Sequence, residues 1–327
     1  MAFYPMASLP ASTQQLAITA FGEANTLQLQ TSVLPEPQDD QVMVAVDFSS
    51  VNPIDAKTRA GLGWAAAQNQ NNLPWVPGYD IAGHVAAVGD NVTHLVVGER
   101  VSGFIGFPLE GGAYSQYVNV AAADLSILPD NVSLQAAASL PLAGQTAWQA
   151  LDKVKVNAND RVLILAGAGG VGHIAVQLAV AKQAQVFATG SADNQAFIEQ
   201  LGATAIDYRQ GELMEQVEPV DVLIDLMGGE VGLAALAAVK PGGRVVTIPT
   251  ITADQVCQQA EALGLRAEGM LVSPNIEQNN AMLEMIAQGQ LSVEVAVTYP
   301  LAEGVKAHQH IESGRTRGKV LLAVSNT

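Results

Sequence analysis

The residues best suited to chemistry lie between Arg161 and Gly172, which read RVLILAGAGGVG. Gly167, Gly169 and Gly172 give G-x-G-x-x-G after an apolar run and before residues with helical apolar spacing. Each glycine has a separate physical reason. One permits a tight turn, one lets the backbone approach a pyrophosphate, and one lets the helix pack close to the strand. The helix start would turn free N–H groups and a partial positive charge toward phosphate oxygens. Glycine-rich turns are common, so the strand before the loop and the amphipathic helix after it make the signal specific. The whole loop, with Gly170 and Val171 inside it, therefore reads as a dinucleotide cradle.

The choice of dinucleotide depends on the end of the next strand, where an NAD site places a carboxylate on the ribose 2′-hydroxyl. Here the chain reads FATGSADN, with Gly190 and Ser191 at that point. Asp193 comes two residues late, and its expected role is to cap a helix over 194–201 that Gly202 ends. Without the acid, a 2′-phosphate meets no repulsion, and Ser191 can donate to it. Arg209 is a candidate for the positive partner. The expected cofactor is NADPH.

The elements needed to hold such a loop are legible around it. From Arg161 short strands alternate with helices: strands at 162–166, 185–189, 204–208, 220–226, 244–248 and 265–272. After Gly170, Val171, Ile174, Ala175, Leu178 and Ala179 share one helix face. This alternation implies a parallel sheet with right-handed crossovers. Helices are expected near 144–152 and 277–288, and strands at 293–299 and 319–324. The first 130 or so residues are β-rich instead. Val42, Val44, Val46 and Phe48 alternate, and apolar runs follow at 81–88, 95–97 and 114–120, separated by glycine turns. From Gly61 to Pro77 the expectation is a long Asn/Gln-rich loop.

Composition narrows the function classes. The chain has 327 residues, enough for about two domains, with 49% hydrophobic and 14% charged residues. Fifteen Lys plus Arg against thirty-one Asp plus Glu give a net charge of −16, which disfavours nucleic acid. The single cysteine, Cys257, permits neither an intrachain disulfide nor a multi-cysteine zinc site. Pro5 and Pro10 interrupt the first apolar stretch and no basic start precedes it, so no signal peptide is expected. No run reaches the length of a membrane span. The expectation is a soluble, cytoplasmic protein with no membrane partner.

Taken together, these segments resemble the zinc-independent medium-chain dehydrogenase/reductases, in the quinone oxidoreductase and enone (alkenal) oxidoreductase branch. The resemblance rests on VNPIDAKTRAG (51–61), VPGYDIAGHVAAVGDNV (76–92), GERV (98–101), GGAYSQYV (111–118), LPLAGQTAWQAL (140–151), AGAGGVG, LGATAIDY (201–208) and GRTRGKV (314–320). It implies an α/β fold in which a doubly wound Rossmann sheet (135–275) is inserted into a GroES-like β-barrel catalytic domain (1–134 and 276–327). The active site would lie in the cleft between them. It also implies a homodimer formed through the sheet edge near 265–272.

Zinc-dependent relatives carry a catalytic Cys and a His-Glu pair. Here those positions read Asn52 and Tyr79-Asp80, and the four-cysteine lobe is absent. No metal site is expected. Alcohol oxidation at neutral pH needs a Lewis acid, whereas hydride addition to an enone or quinone gives a delocalised anion that hydrogen-bond donors can stabilise. The expected substrates are therefore quinones or α,β-unsaturated carbonyls.

The resemblance places Asn52 near the nicotinamide and likens Lys57 to a lysine of enone reductases. Either can donate to the substrate oxygen, and Lys57 can also hold a cofactor hydroxyl. Asn52 can equally shape the turn before Pro53. Tyr79 can donate its phenol or pack. Trp64 and Phe107 are candidates for an apolar substrate wall. Thr146 resembles a residue facing the cofactor, though a helical Thr also bonds its own backbone. Tyr208 resembles a tyrosine near the adenosine phosphate. Met227 and Ile248 follow strand ends, where doubly wound sheets bind ligands. Gly318-Lys319 resemble a C-terminal segment reaching back over the cofactor. His173 reads as packing or surface rather than as an acid, and His308 and His310 point apart on a helix. Two other readings stay open: an enoyl-thioester reductase, and a non-catalytic NADPH-binding protein.

Overall fold

The computed structural model describes residues 10–325, so the signal-peptide reading of the first residues lies largely outside the described chain. The chain forms two compact units. The first takes residues up to Ala138, Thr298–Gln309 and the segment from Leu321. The second takes Ser139–Val297 and His310–Val320. The segment 276–297, expected with the catalytic part, thus belongs to the second unit.

In the first unit, β1 (Ser12–Ile18) and β2 (Leu27–Val33) pair antiparallel. Next come β3 (Gln41–Val51), α1 (Pro53–Arg59), α2 (Gly63–Asn69) and β4 (Asp80–Val88). They are followed by β5 (Arg100–Phe104), β6 (Tyr117–Ala121), β7 (Leu125–Ile127) and α3 (Leu134–Ser139). β3 is central and pairs antiparallel with both β4 and β6. Its register against β4 shifts between Met43 and Val44 and again between Val46 and Phe48. The first shift places the extra residue, Ala86, in β4 and leaves β3 regular against β6; Met43 is nonetheless buried beside Val42 and Val44, which simple alternation did not anticipate.

Two expectations for this unit are corrected. The segment after Gly61 contains a helix, α2, not only a loop. Its Ala-rich sequence favours helix, and Ala65, Ala66 and Asn69 are buried. Residues 95–97 form no strand: Leu95 is buried, but Val96 and Val97 are exposed in a turn leading to Gly98.

The second unit continues with α4 (Pro141–Lys153), β8 (Arg161–Ile164), α5 (Gly172–Ala181), β9 (Gln185–Gly190), α6 (Gln195–Gln200) and β10 (Thr204–Asp207). Then come α7 (Leu213–Gln216), β11 (Val220–Asp225), α8 (Gly229–Ala235), β12 (Val239–Thr247), α9 (Ala253–Ala262), β13 (Arg266–Gly269) and α10 (Ile276–Ala287). β14 (Val295–Pro300), α11 (Gly304–Glu312) and β15 (Lys319–Ala323) finish the chain, which crosses between the units along this stretch.

Six strands form a parallel sheet in the order β10-β9-β8-β11-β12-β13. That is the doubly wound order, which reverses direction between β8 and β11. Val162, Leu163 and Ile164 on β8, and Val222, Leu223 and Ile224 on β11, are fully buried. Helices on both faces demand this, which is why the central strands are continuous apolar runs. No helix among the described residues is long and apolar enough to cross a membrane.

Candidate active site and cofactor loop

The glycine loop leaves β8 and turns at Ala166, whose φ is 52°. The left-handed residue is thus an alanine and not, as the motif suggested, a glycine. The glycines serve close approach instead. A Cβ on Gly167 would stand 2.5 Å from the Ala188 Cβ, and one on Gly172 would stand 2.1 Å from the Ala166 carbonyl oxygen. Those two residues hold the loop against β9 and α5. A Cβ on Gly169 would meet only the Ala166 oxygen, at 3.2 Å, so its backbone stays approachable from outside. The N–H groups of Gly170, Val171 and Gly172 have no backbone acceptor among the described residues. A small, open Gly169 beside a row of unpaired donors at a ten-residue helix fits a pyrophosphate.

The C-terminal segment is fastened to this loop. Gly318 N–H donates to the Ala168 oxygen at 2.8 Å, and Lys319 N–H donates to the Glu294 oxygen at 2.9 Å. Gly318 has φ of 74°, and a Cβ there would sit 2.2 Å from the Glu294 oxygen. The Lys319 side chain is buried, with its Cδ close to Gly170. His173 completes the fastening. Its Nδ1 lies 2.8 Å from the Gly169 oxygen, and its Nε2 accepts from Glu294 N–H at 3.2 Å. Both contacts require a neutral ring with the proton on Nδ1. Burial pushes its pKa down to about 4.

At the far end of β9, Gly190 pairs in register with Asp207 of β10, so Ser191 and Tyr208 leave neighbouring strand ends together. Tyr208 is exposed, and the Arg209 guanidinium lies 5.3 Å over its ring. Ser191 Oγ accepts from Asn194 Nδ2 at 3.1 Å. Asp193 sits inside a short 3-10 turn and does not cap the following helix; Asn194 holds that position, because the turn inserts before the helix starts. Asp207 accepts from Arg209 N–H and from the Gln210 amide.

Asp225, which sequence reading did not single out, organises the ends of β11 and β12. Fully buried, it accepts from Met227 N–H at 2.9 Å, Gly228 N–H at 2.8 Å and Thr247 Oγ at 2.8 Å. Met227 is exposed just beyond it, and Ile248 is half-buried. The Thr146 hydroxyl donates to the Leu142 oxygen of its own helix at 2.7 Å, the backbone-bonded alternative.

In the first unit, Asn52 caps α1 and is 1% exposed. Its N–H donates to Asp55 Oδ2 at 2.8 Å, and its side-chain Nδ2 donates to Asp80 Oδ2 at 2.8 Å. Asp80 also accepts from Ser50 Oγ at 2.5 Å, and Asp55 accepts from the Tyr114 hydroxyl at 3.1 Å. Lys57, on the same helix, is exposed as a residue and has no ion-pair partner among the described residues. Partial burial of its head group pushes its pKa below the ordinary lysine value.

Tyr79 is fully buried, and its hydroxyl donates to the Pro108 oxygen at 3.0 Å. Burial and the nearby Asp55 push its pKa up. Its ring meets Phe107 edge-on at 5.1 Å, and Phe107 lies 4.9 Å from Phe104. Trp75, on the other side of Tyr79 at 6.4 Å, extends the aromatic cluster. Trp64, on α2, is partly exposed and takes no part in it. Sequence reading named Tyr79 and Phe107 but missed Ser50, Asp55 and Tyr114. Their one local signal was the N-x-x-D spacing of a capping box. No group of three or more His, Cys, Asp or Glu placed to hold a metal occurs among the described residues.

Residues 38–130 match the family described as alcohol dehydrogenase GroES-like domain, and residues 201–322 match the one described as zinc-binding dehydrogenase. The chain is 32% identical to a 2-methylene-furan-3-one reductase of Solanum lycopersicum, over 96% of this chain and 80% of that protein. It is 31% identical to the chloroplastic NADPH-dependent alkenal/one oxidoreductase of Arabidopsis thaliana, over 97% and 81%. The solved quinone oxidoreductase of Coxiella burnetii superposes with a TM-score of 0.93 at 38% identity, covering 96% of this chain and all of that one. The chain belongs to the medium-chain dehydrogenase/reductases, and within them to the quinone oxidoreductase and alkenal oxidoreductase branch.

Proposed function

We propose that this protein is an NADPH-dependent reductase of quinones or of the C=C bond of α,β-unsaturated carbonyls. The observation that carries the reading is near full-length similarity to two reductases, one of them named for alkenals and alkenones. The sites support it. Gly167, Gly169, Gly170, Val171 and Gly172 would cradle the pyrophosphate, with Gly318 and Lys319 closing over the loop. Ser191, Tyr208 and Arg209 would take the adenosine phosphate, since β9 ends in Gly190-Ser191 without a carboxylate. NADPH, when bound, supplies a hydride to the electrophilic carbon of the substrate.

The chain's own task is to receive the negative charge that then develops on the substrate oxygen. The Asn52 amide and the Lys57 ammonium are the donors proposed for it. Tyr79, Phe107 and Trp64 would offer apolar walls. We propose further that two copies pair through β13, one of the two edge strands of the parallel sheet, which exposed Leu263 and Leu271 flank.

The test is the initial rate of NADPH oxidation with an aliphatic enone and an ortho-quinone, side by side. Turnover of either supports the reading, and enone turnover singles out conjugate C=C reduction. Tight NADPH binding with no turnover on any enone or quinone would overturn it.

A further inference from the structure

We propose that Asp80 is a positioning residue that fixes the side-chain amide of Asn52 and so sets which way its N–H and C=O groups point. The inference rests on the reading of Asn52 as a donor to the substrate oxygen. Its geometry is independent of that reading.

The two ends of a carboxamide are nearly the same size, so packing alone does not choose between them. Electrostatics does. An ionised carboxylate can only accept, and Asp80 takes the Nδ2 end of Asn52 at 2.8 Å. Ser50 Oγ donates to the same Asp80 oxygen at 2.5 Å, which holds the carboxylate in turn. All three residues are buried, Asp80 and Ser50 completely.

Rigid elements place them. Ser49 pairs with Ile81 in the β3–β4 ladder, which brings Ser50 opposite Asp80, and Asn52 follows at the point where β3 gives way to α1. Asp55 clamps the Asn52 backbone from the other side. Two acids therefore act on one asparagine, one on its main chain and one on its amide. A buried carboxylate is costly to desolvate, and a structural contact here would be served as well by a neutral pair. The acid does one thing a neutral group cannot: it forbids the flipped amide, whose C=O would face and repel a developing oxyanion.

The test uses the full chain in four forms: wild type, Asp80→Asn, Asn52→Ala and the exchange Asn52→Asp with Asp80→Asn. Melting temperature is read together with kcat and with KM for NADPH. An asparagine at 80 can donate or accept, so its veto on the flipped amide is lost, and only the Asp55 N–H that the Asn52 side chain accepts in the capping box still opposes the flip. The expected result is a kcat roughly tenfold lower or worse, with KM for NADPH within about twofold.

The exchange restores an amide–carboxylate pair of equal volume and charge but puts the acceptor at 52. Its melting temperature should return toward wild type while kcat stays low. A merely structural pair would recover activity in the exchange, and that result would overturn the proposal. So would Asp80→Asn keeping kcat within about twofold while Asn52→Ala loses it. An Asn52→Ala variant of full activity would remove the donor reading and this proposal together, while leaving NADPH turnover intact. If Asp80→Asn does not fold, Ser50→Ala decides: about a threefold or greater loss of kcat supports the role, and an unchanged kcat rejects it.

Discussion

The two units build their sites from different materials. In the second, the cradle is mostly backbone: small residues, unpaired N–H groups and a helix start within a dozen positions of one another. In the first, the site is side chains from distant positions: strand register brings Ser50 and Asp80 together beside Asn52, and Tyr114 reaches Asp55 on α1. A backbone site tolerates little change in side-chain size but needs few particular side chains. A side-chain site is the reverse. The substitutions that break each site should therefore differ in kind.

The largest effect is expected in the loop, where Gly172→Ala and Gly169→Ala should fail differently. A Cβ at 172 enters the Ala166 carbonyl at 2.1 Å, so the helix start must move. Overpacking of this kind costs about 1–3 kcal/mol, and NADPH affinity should fall up to roughly a hundredfold along with the melting temperature. At 169 the nearest atom is 3.2 Å away, so the fold should survive with its melting temperature little changed. The new methyl would face the pyrophosphate, and affinity alone should drop. Fluorescence titration with NADPH and a thermal melt of both variants separate the cases. Equal losses of stability would contradict the division of labour among the glycines.

The same contrast explains how much of the molecule could be read from its sequence. Parallel strands, the helix after the loop and the absent carboxylate at Gly190-Ser191 were legible because each is a local pattern. A glycine is the cheap residue for a left-handed turn, and the motif offers three. The chain instead uses Ala166, held by its N–H bond to Thr189 Oγ at 3.0 Å. Asp80 was not legible as a clamp on Asn52, since that depends on which residue of β3 faces which residue of β4, whereas Asp55 had a local signal in the N-x-x-D spacing of a capping box. The helix over Gly63–Asn69 is masked in the sequence because Asn and Gln enrichment surrounds its short Trp-Ala-Ala-Ala run. Asp225 escaped notice for the same reason as Asp80: its partners Met227 and Gly228 are near in sequence, but Thr247 belongs to another strand.

A smaller effect is expected at the adenosine end, which combines both kinds of material. Arg209 lies over the exposed Tyr208 ring and is a side-chain element attached to a backbone site. Arg209→Gln should raise KM for NADPH roughly tenfold, in line with the loss of one charge-assisted phosphate contact. The KM for NADH should hardly move. A parallel shift with both cofactors would show that Arg209 shapes the strand end and does not read the phosphate.

In the first unit, Lys57 offers a pH-dependent counterpart. Its pKa lies below the ordinary lysine value because its head group is partly desolvated. If its ammonium donates to the substrate oxygen, kcat/KM should decline on the alkaline side as that proton is lost, starting below the usual value of about 10.4. Lys57→Arg should carry the limb to higher pH. Lys57→Met should lower kcat/KM roughly tenfold at neutral pH and remove the limb. A limb that persists in Lys57→Met belongs to another group.

The last contrast concerns two buried histidines, one in each unit. His173 is bonded at both ring nitrogens, whereas neither nitrogen of His308 has a hydrogen-bond partner among the described residues. His308 packs edge-on against Tyr114 at 5.8 Å, and burial with the nearby Arg59 pushes its pKa down to about 3. An unfolded histidine titrates near 6.5. Between that value and the folded pKa, the unfolded chain binds a proton that the native chain does not, so stability falls as pH falls through this window. For each histidine the slope is about 1.4 kcal/mol per pH unit. The window runs down to about 4 for His173 and about 3 for His308. Replacing His308 with Phe keeps a ring against Tyr114 and removes two unpartnered nitrogens. Denaturant unfolding of His308→Phe should show unchanged or slightly higher stability at pH 7 and a shallower decline toward pH 4. His173→Phe should also flatten the decline but lose stability at pH 7, because Gly169 and Glu294 would lose their partner. If the two variants behaved alike at pH 7, the bonded ring would matter no more than the unbonded one, and the clamp on the glycine loop would have no energetic weight.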